Sequence, residues 1–383
     1  MSYEPSEHLT VERIRSRAQI PTPALVCDLD RLTTNIARMS ALANAAGVAL
    51  RPHVKSHKSA FIAQRQLEGG ASGLACAKIS EAEVLVARLG LNGYRAPVSV
   101  LITSPVVGPA AAGRIASLAA RCDLAVVVDH PAGVDELAIA ATEAGVLVSV
   151  LCDVDVGLGR TGVLGPKEAL AVVGRIAGSA SLSFGGVQGY GGHLQHIEGR
   201  DARAAATRLS AQRLRTVVDA LESAGHTVSL RTGGGTGTHE IDLEIGLLNE
   251  LQPGSYVFMD REYRDALRSD PEGHFEQSLT IVTTVISTNQ RGFVTVDAGL
   301  KAMATDAGSP LVVGHEDSTS YEFFGDEHGL VTNDPNGTFA RGERLELVPP
   351  HCDPTVDRYD RMWLVRGDDV VDLIDIDARG CSQ

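Results

Sequence analysis

The sequence predicts an α/β protein: a (β/α)8 barrel of parallel strands followed by an antiparallel β domain. Three observations carry this. Short apolar runs alternate with alanine-rich helical patterns from Ala24 to Leu251, as βαβ units with right-handed crossovers require. Several of these runs end in basic or glycine-rich clusters, as barrel strands do at the end where chemistry is built. After about Gly254 the helical patterns give way to Val-, Ile- and Thr-rich runs bounded by Gly, Asn, Asp and Pro. An open doubly wound sheet is the alternative arrangement of the first part.

Residues 1–20 are polar, with a possible helix over Val11–Ala18. Ala24–Asp28 reads as a strand. It precedes the barrel, lacks a βαβ partner and is assigned to the second domain. The helix Leu32–Ala46 leads to the strand Val48–Val54. Next come Gly73–Ala77 and the helix Ser80–Arg88, where Ser80 is the expected N-cap and Glu83 completes a capping box. Pro97–Thr103, Leu124–Val128, Val146–Asp153, Ser183–Gln188 and Thr227–Arg231 read as buried parallel strands, and Leu247–Leu251 supplies the eighth. The helices Ala110–Ala120, Val134–Ala144, Lys167–Ile176 and Ala202–Ala224 separate them. In the β domain the expected strands are Leu279–Ser287, Gly292–Val296, Pro310–Val313, Arg344–Val348, Met362–Arg366 and Val370–Ile376. The division is thus residues 1–28 joining the β domain, 29–255 as barrel, and 256–383 as β domain.

Composition narrows the function. Of 383 residues, 44% are hydrophobic and 21% charged, and the net charge is −14. That suits a globular protein and argues against nucleic acid or an anionic membrane as partner. The six cysteines form no CxxC pair and read as reduced core residues of a cytoplasmic protein. The opening Met1–Glu7 has neither basic end nor apolar core, so no signal peptide is expected. No apolar run approaches the ~18–20 residues of a membrane span.

Five segments carry candidate chemistry. Arg51-Pro52-His53-Val54-Lys55-Ser56-His57-Lys58 stands where a strand hands over to a helix. A lysine flanked by cations can have its pKa lowered and serve as a Schiff-base nucleophile toward an aldehyde cofactor; otherwise the segment is a basic surface loop. Thr232–Thr238 holds four glycines and three threonines after the seventh strand. It reads as a phosphate cradle or as a flexible turn, and Pro253–Tyr256 could add donors. In Asp153–Gly162, Arg160 either binds an oxyanion or pairs with Asp153 or Asp155 to brace its loop. Gln188–His196 offers the Tyr190 hydroxyl and the imidazoles of His193 and His196, natural general bases near neutral pH. In Val348–Pro354, an extended backbone would put His351 and Asp353 on one face and Cys352 on the other. His351 and Asp353 would leave positions open on a divalent metal; a set using Cys352 would favour zinc.

Together these segments resemble the D-threonine aldolase and D-serine dehydratase family, pyridoxal-phosphate enzymes with an alanine racemase-like fold. The resemblance also takes in Glu250–Asp260 (ELQPGSYVFMD), Asp297–Lys301 (DAGLK), Asp326–Gly329 (DEHG) and Pro350–Asp353 (PHCD). It runs from about residue 22 to the end of the sequence. It implies that Lys55 carries pyridoxal 5'-phosphate, with Lys58 the rival. It implies Tyr190 or Arg160 near the cofactor ring, and Thr232, Gly234, Gly235, Gly254 and Ser255 around its phosphate. It implies a divalent metal (Mn, Mg, Co or Zn) on His351 and Asp353, and a homodimer. The aldolase pattern places a histidine directly after the tyrosine; here Gly191 stands there. The Gln195-His196 pair is kept, so His196 is the expected base, with His193 in reserve. The implied reaction is retro-aldol cleavage of a D-β-hydroxy-α-amino acid to glycine and an aldehyde. The alternatives are dehydration to a 2-oxo acid and ammonia, and a non-catalytic pyridoxal-phosphate-binding protein. The related D-serine dehydratases of eukaryotes use a His-x-Cys pair, and Asp353 at that place favours the aldolase.

Overall fold

The structure, a computed structural model, describes residues 14–268, 270, 275–332 and 339–383. The start of the expected Val11–Ala18 helix lies outside the described residues, and a 3-10 turn spans Arg17–Gln19.

Strand β1 (Ala24–Asp28) leads directly into helix α1 (Leu29–Ala45). Asp28 makes the junction sharp: its carboxylate accepts the N–H groups of Asp30 and Arg31 and so caps the helix. The barrel strands follow as β2 (Ala49–Leu50), β3 (Leu74–Cys76), β4 (Ser99–Ile102), β5 (Asp123–Val128), β6 (Val148–Asp153), β7 (Leu182–Gly189), β8 (Leu230–Gly233) and β9 (Glu250–Leu251). All pair in parallel, in the order β2-β9-β8-β7-β6-β5-β4-β3. A bridge between His53 and Ala75 joins the two ends. The helices between them are α2 (Ala60–Glu68), α3 (Ile79–Leu91), α4 (Pro109–Ala119), α5 (Pro131–Ala144), α6 (Pro166–Ala177), α7 (Arg200–Ser223) and α8 (His239–Ile245). Three of them begin with proline at the first helical position, where the missing N–H costs nothing.

The capping box of α3 sits two residues earlier than the sequence suggests. Glu81, not Glu83, accepts the N–H groups of Ala77 and Lys78. Ser80 accepts from the Gln383 N–H instead, and Glu83 takes a two-point ion pair with Arg114.

The barrel interior is only partly apolar. Leu101, Val127 and Leu151 form one buried layer. Beside it, Arg51 Nε donates to Glu250 Oε1 (2.8 Å), and Thr232 Oγ1 donates to the same oxygen (2.9 Å). Gln252 Nε2 donates to Thr232 Oγ1 (2.8 Å), and Gln188 Nε2 donates to Asp153 Oδ1 (2.9 Å). Each of these buried side chains thus finds a partner, as a low-dielectric interior demands.

After the short helix α9 (Arg261–Ala266), the second sheet adds β10 (Leu279–Ser287), β11 (Phe293–Val296), β12 (Leu311–Val312), β13 (Tyr321–Phe323), β14 (Gly329–Thr332) and β15 (Arg344–Val348). Helix α10 (Cys352–Val356) and strands β16 (Arg361–Arg366) and β17 (Asp369–Asp375) complete it. Its main order is β13-β14-β11-β10-β1-β16-β17, and β15 pairs with β10 and β12. Strand β1 lies between β10 and β16. It pairs antiparallel with β10 but parallel with β16, so this sheet is mostly rather than wholly antiparallel. Strands β13 and β14 have no counterpart in the sequence reading. They are short and half-polar, with little alternation to signal them.

Arg51 and Glu250 are both almost fully enclosed. Arg51→Ala would leave the Glu250 carboxylate without its cation inside the barrel. We expect a loss of about 3–5 kcal/mol in unfolding free energy, read as a lowered urea midpoint.

Candidate active site

The chain leaves β2 through Pro52 and His53 and enters a 3-10 turn, Val54–Ser56, that carries Lys55. The His53 ring caps this turn: its Nδ1 accepts the Lys55 N–H (3.4 Å), while Nε2 bonds Thr103 Oγ1 (3.0 Å). Lys55 Nζ donates to Asp353 Oδ2. The lysine side chain remains 39% exposed at the barrel mouth. Its charge state differs from the sequence expectation. Burial opposes the ammonium, but the Asp353 carboxylate outweighs burial and holds the Lys55 pKa above the ordinary lysine value. The flanking histidines are not cations. Burial pushes His53 down to about 3 and His57 to about 4, so both rings are neutral at pH 7. Lys58 points elsewhere, buried against Glu81 (3.4 Å) and Asp357 (3.1 Å).

The segment after β15 is not extended throughout. His351 has strand-like angles and is the N-cap of α10, which contains Asp353. The Asp260 carboxylate explains the turn: it accepts the Cys352 N–H (2.8 Å) and also the Tyr263 N–H (3.0 Å), capping α10 and α9 together. Asp353 therefore faces Lys55, with Ser255 Oγ (3.3 Å) and the Cys352 thiol (3.3 Å) also donating to it. Against burial, Lys55 and His351 hold its carboxyl well below the usual range. His351 Nδ1 lies 2.7 Å from Asp306 Oδ2. Burial works against its charge, but Asp353 and Asp306 raise its pKa. Cys352 is buried, and burial raises its pKa well above the ordinary thiol value. Among the described residues, no three His, Cys, Asp or Glu side chains stand together as a ready metal cage.

Across the mouth, His196 packs edge-on against the Tyr263 ring (centroids 4.6 Å apart). Its Nδ1 lies 3.8 Å from Glu262 Oε1, and Glu262 Oε2 lies 4.0 Å from His351 Nδ1. Burial lowers the His196 pKa, with Glu262 acting the other way. His193 lies near Gly157 and Arg213, in the direction of the Arg160 loop. The Arg160 guanidinium stands 5.7 Å from the Tyr190 ring centre. It has no ion pair with Asp153 or Asp155: Asp153 is bonded by Thr161 and Gln188, and Asp155 by the Gly157 and Gly159 N–H groups.

The glycine-rich loop after β8 is closely built. Thr232 turns its hydroxyl into the barrel, toward Glu250 and Gln252, and takes no part in the loop surface. Gly234 has φ +70, which favours glycine. A Cβ on Gly235 would overlap the Gln195 amide, which itself accepts the Gly237 N–H (2.9 Å) and donates to Gly191 O (3.1 Å). A Cβ on Gly254 would overlap Ser56 Oγ. That hydroxyl is buried and has no partner among the described residues. The unpaired buried Ser56 hydroxyl beside the Gly254 backbone is a donor suited to an anion such as a phosphate.

Residues 27–262 match the family model for the alanine racemase N-terminal domain, and residues 278–365 match a putative serine dehydratase domain. A D-threonine aldolase of Arthrobacter sp. is 38% identical over 96% of this chain and 94% of its own length. A 3-hydroxy-D-aspartate aldolase of Paracoccus denitrificans (strain Pd 1222) is 38% identical over 95% of this chain and 93% of its own. The crystal structure of D-threonine aldolase from Filomicrobium marinum matches with a TM-score of 0.90 at 35% identity, covering 96% of this chain and 98% of that one. The chain belongs to the D-threonine aldolase and D-serine dehydratase-like family.

Within this aldolase–dehydratase scaffold, one mouth gathers Lys55, Tyr190, His196, Ser255, His351 and Asp353, while Lys58 and the Thr232 hydroxyl lie apart from it. Sequence reasoning missed Glu262, Asp306 and Ser56, and the bracing roles of Asp260 and Gln195. None carries a local signal, because each meets its partner only through the fold. Asp242 lies behind the glycine loop and accepts the Thr238 hydroxyl (2.6 Å). Burial pushes its pKa up to about 7. The folded carboxyl thus keeps its proton while the unfolded one ionises near pH 4, so its contribution to stability falls as pH rises from about 4 to about 7. Asp242→Asn should remove that loss. We expect its urea midpoint, relative to wild type, to climb between pH 5 and pH 7 and to level off above.

Proposed function

We propose that this protein is a lyase that cleaves D-β-hydroxy-α-amino acids to glycine and an aldehyde. One observation carries the reading: an accessible lysine at the barrel mouth shares its wall with a lowered-pKa imidazole and a His351–Asp353 pair. The similarity to aldolases along the length of the chain supports it.

Lys55 is the amine that would hold pyridoxal 5'-phosphate through its aldehyde. Its phosphate would be held by the backbone of Gly234, Gly235 and Gly254, with Ser56 and Ser255 beside it. His351 and Asp353 are the residues for a divalent metal, an N,O donor pair that leaves positions for water and substrate. When bound, the cofactor supplies an electron sink at the substrate Cα and the metal a Lewis acid for the β-hydroxyl.

The remaining chemistry belongs to the chain. Asp353 holds Lys55 Nζ toward the mouth. Tyr190 and Arg160 form the adjoining wall and orient the planar part of the bound species. His196 is unprotonated at neutral pH, since burial lowers its pKa. It takes the β-hydroxyl proton as the Cα–Cβ bond breaks, so the β-carbon leaves as an aldehyde.

The test begins with protein stripped of metal and supplied with pyridoxal phosphate. D-threonine is added with and without manganese. Metal-dependent glycine and acetaldehyde are the expected products; ammonia and a 2-oxo acid would make the protein a dehydratase. His196→Ala should lower the rate about 10²–10⁴-fold, and an unchanged rate would remove His196 from that role. Lys55→Ala should lose the yellow absorbance of the bound cofactor.

A further inference from the structure

The retro-aldol reading leaves the β-substituent of the substrate open, and the charges around it bear on the choice. The inference rests on that reading. On that reading His196 meets the β-hydroxyl and His351 stands across from it, so the β-substituent would lie beside these two imidazoles. Glu262 stands between the same two rings, 3.8 Å from His196 and 4.0 Å from His351. Asp306 adds a second carboxylate beside His351. Among the described residues, no lysine or arginine lies within ion-pair distance of Glu262. Its neighbours on α9 turn away: Arg261 Nη1 donates to Ser309 O (2.6 Å), and Arg264 pairs with Glu316 (3.5 Å). Of the lysine and arginine at the mouth, Lys55 is paired with Asp353, and Arg160 stands over the Tyr190 ring.

We propose that Glu262 is a specificity-determining residue that repels a carboxylate on the substrate β-carbon. The site then takes D-β-hydroxy amino acids whose β-substituent is neutral. Rejection by a like charge is a common way to separate two substrates that share every other contact.

The experiment compares kcat/KM for D-threonine and D-3-hydroxyaspartate by glycine release, with the same metal and low salt throughout. Wild type should favour D-threonine by at least about tenfold, an effect within the range for two like charges about 4 Å apart near a protein surface. Glu262→Gln should raise the hydroxyaspartate-to-threonine ratio about tenfold, while Glu262→Asp should keep the wild-type ratio. Added salt should raise the ratio in wild type by screening and leave it flat in Glu262→Gln. A merely structural glutamate would change both substrates together. A wild-type preference for hydroxyaspartate, or an unchanged ratio in Glu262→Gln, overturns the assignment while the lyase reading stands. Glycine from neither substrate overturns the lyase reading and this inference with it.

Discussion

The Lys55–Asp353 pair is the contact on which the mouth depends. It joins a barrel turn to a helix of the second sheet, 298 residues apart in sequence. Both charges are partly withdrawn from water, so each needs the other and needs further partners. Asp353 has them in Ser255 and Cys352. Its position in turn requires that α10 start at Cys352, which the Asp260 cap ensures. The same carboxylate starts α9, which carries Glu262 and Tyr263 to His196. One buried aspartate thus sets the direction of two short helices and, through them, of two sides of the site.

The barrel does corresponding work from below. Arg51, Glu250, Thr232 and Gln252 fasten β2, β8 and β9 to each other through side chains as well as backbone. Lys55, the glycine loop and Gly254–Ser255 emerge from the ends of these three strands. A polar interior is costly when any member is unpaired, which ties the register of these strands to the geometry above them. Thr232 belongs to this layer, although the sequence reading gave it to the phosphate.

Much of the architecture was legible because parallel strands buried on both faces leave short apolar runs, and Leu279–Ser287 and Arg344–Val348 agree with the structure at both ends. The site was legible only as separate segments. The Arg51–Lys58 segment looks strongly cationic as letters, yet burial neutralises His53 and His57 and an ion pair occupies Lys55. The alternation rule failed at His351–Asp353 because a cap from Asp260, far away in sequence, bends the chain into a helix there. Glu262 and Asp306 are single carboxylates in unremarkable surroundings, and no spacing rule marks them.

The chain passes between the two sheets at more than one point. Strand β1 pairs on both sides within the second sheet and then runs, without a linker, into α1 through the Asp28 cap. The second passage runs from Ser255 through Met259 and Asp260 into α9, and its backbone is tied to Pro349 and Pro350 by the Arg261 and Glu262 N–H groups. A single flexible linker would let the His351–Asp353 segment drift away from Lys55. Two anchored passages, with an ion pair across the gap, oppose that drift. The site is therefore assembled by the fold itself, and the residues that hold it in register deserve the same weight as those that face the substrate.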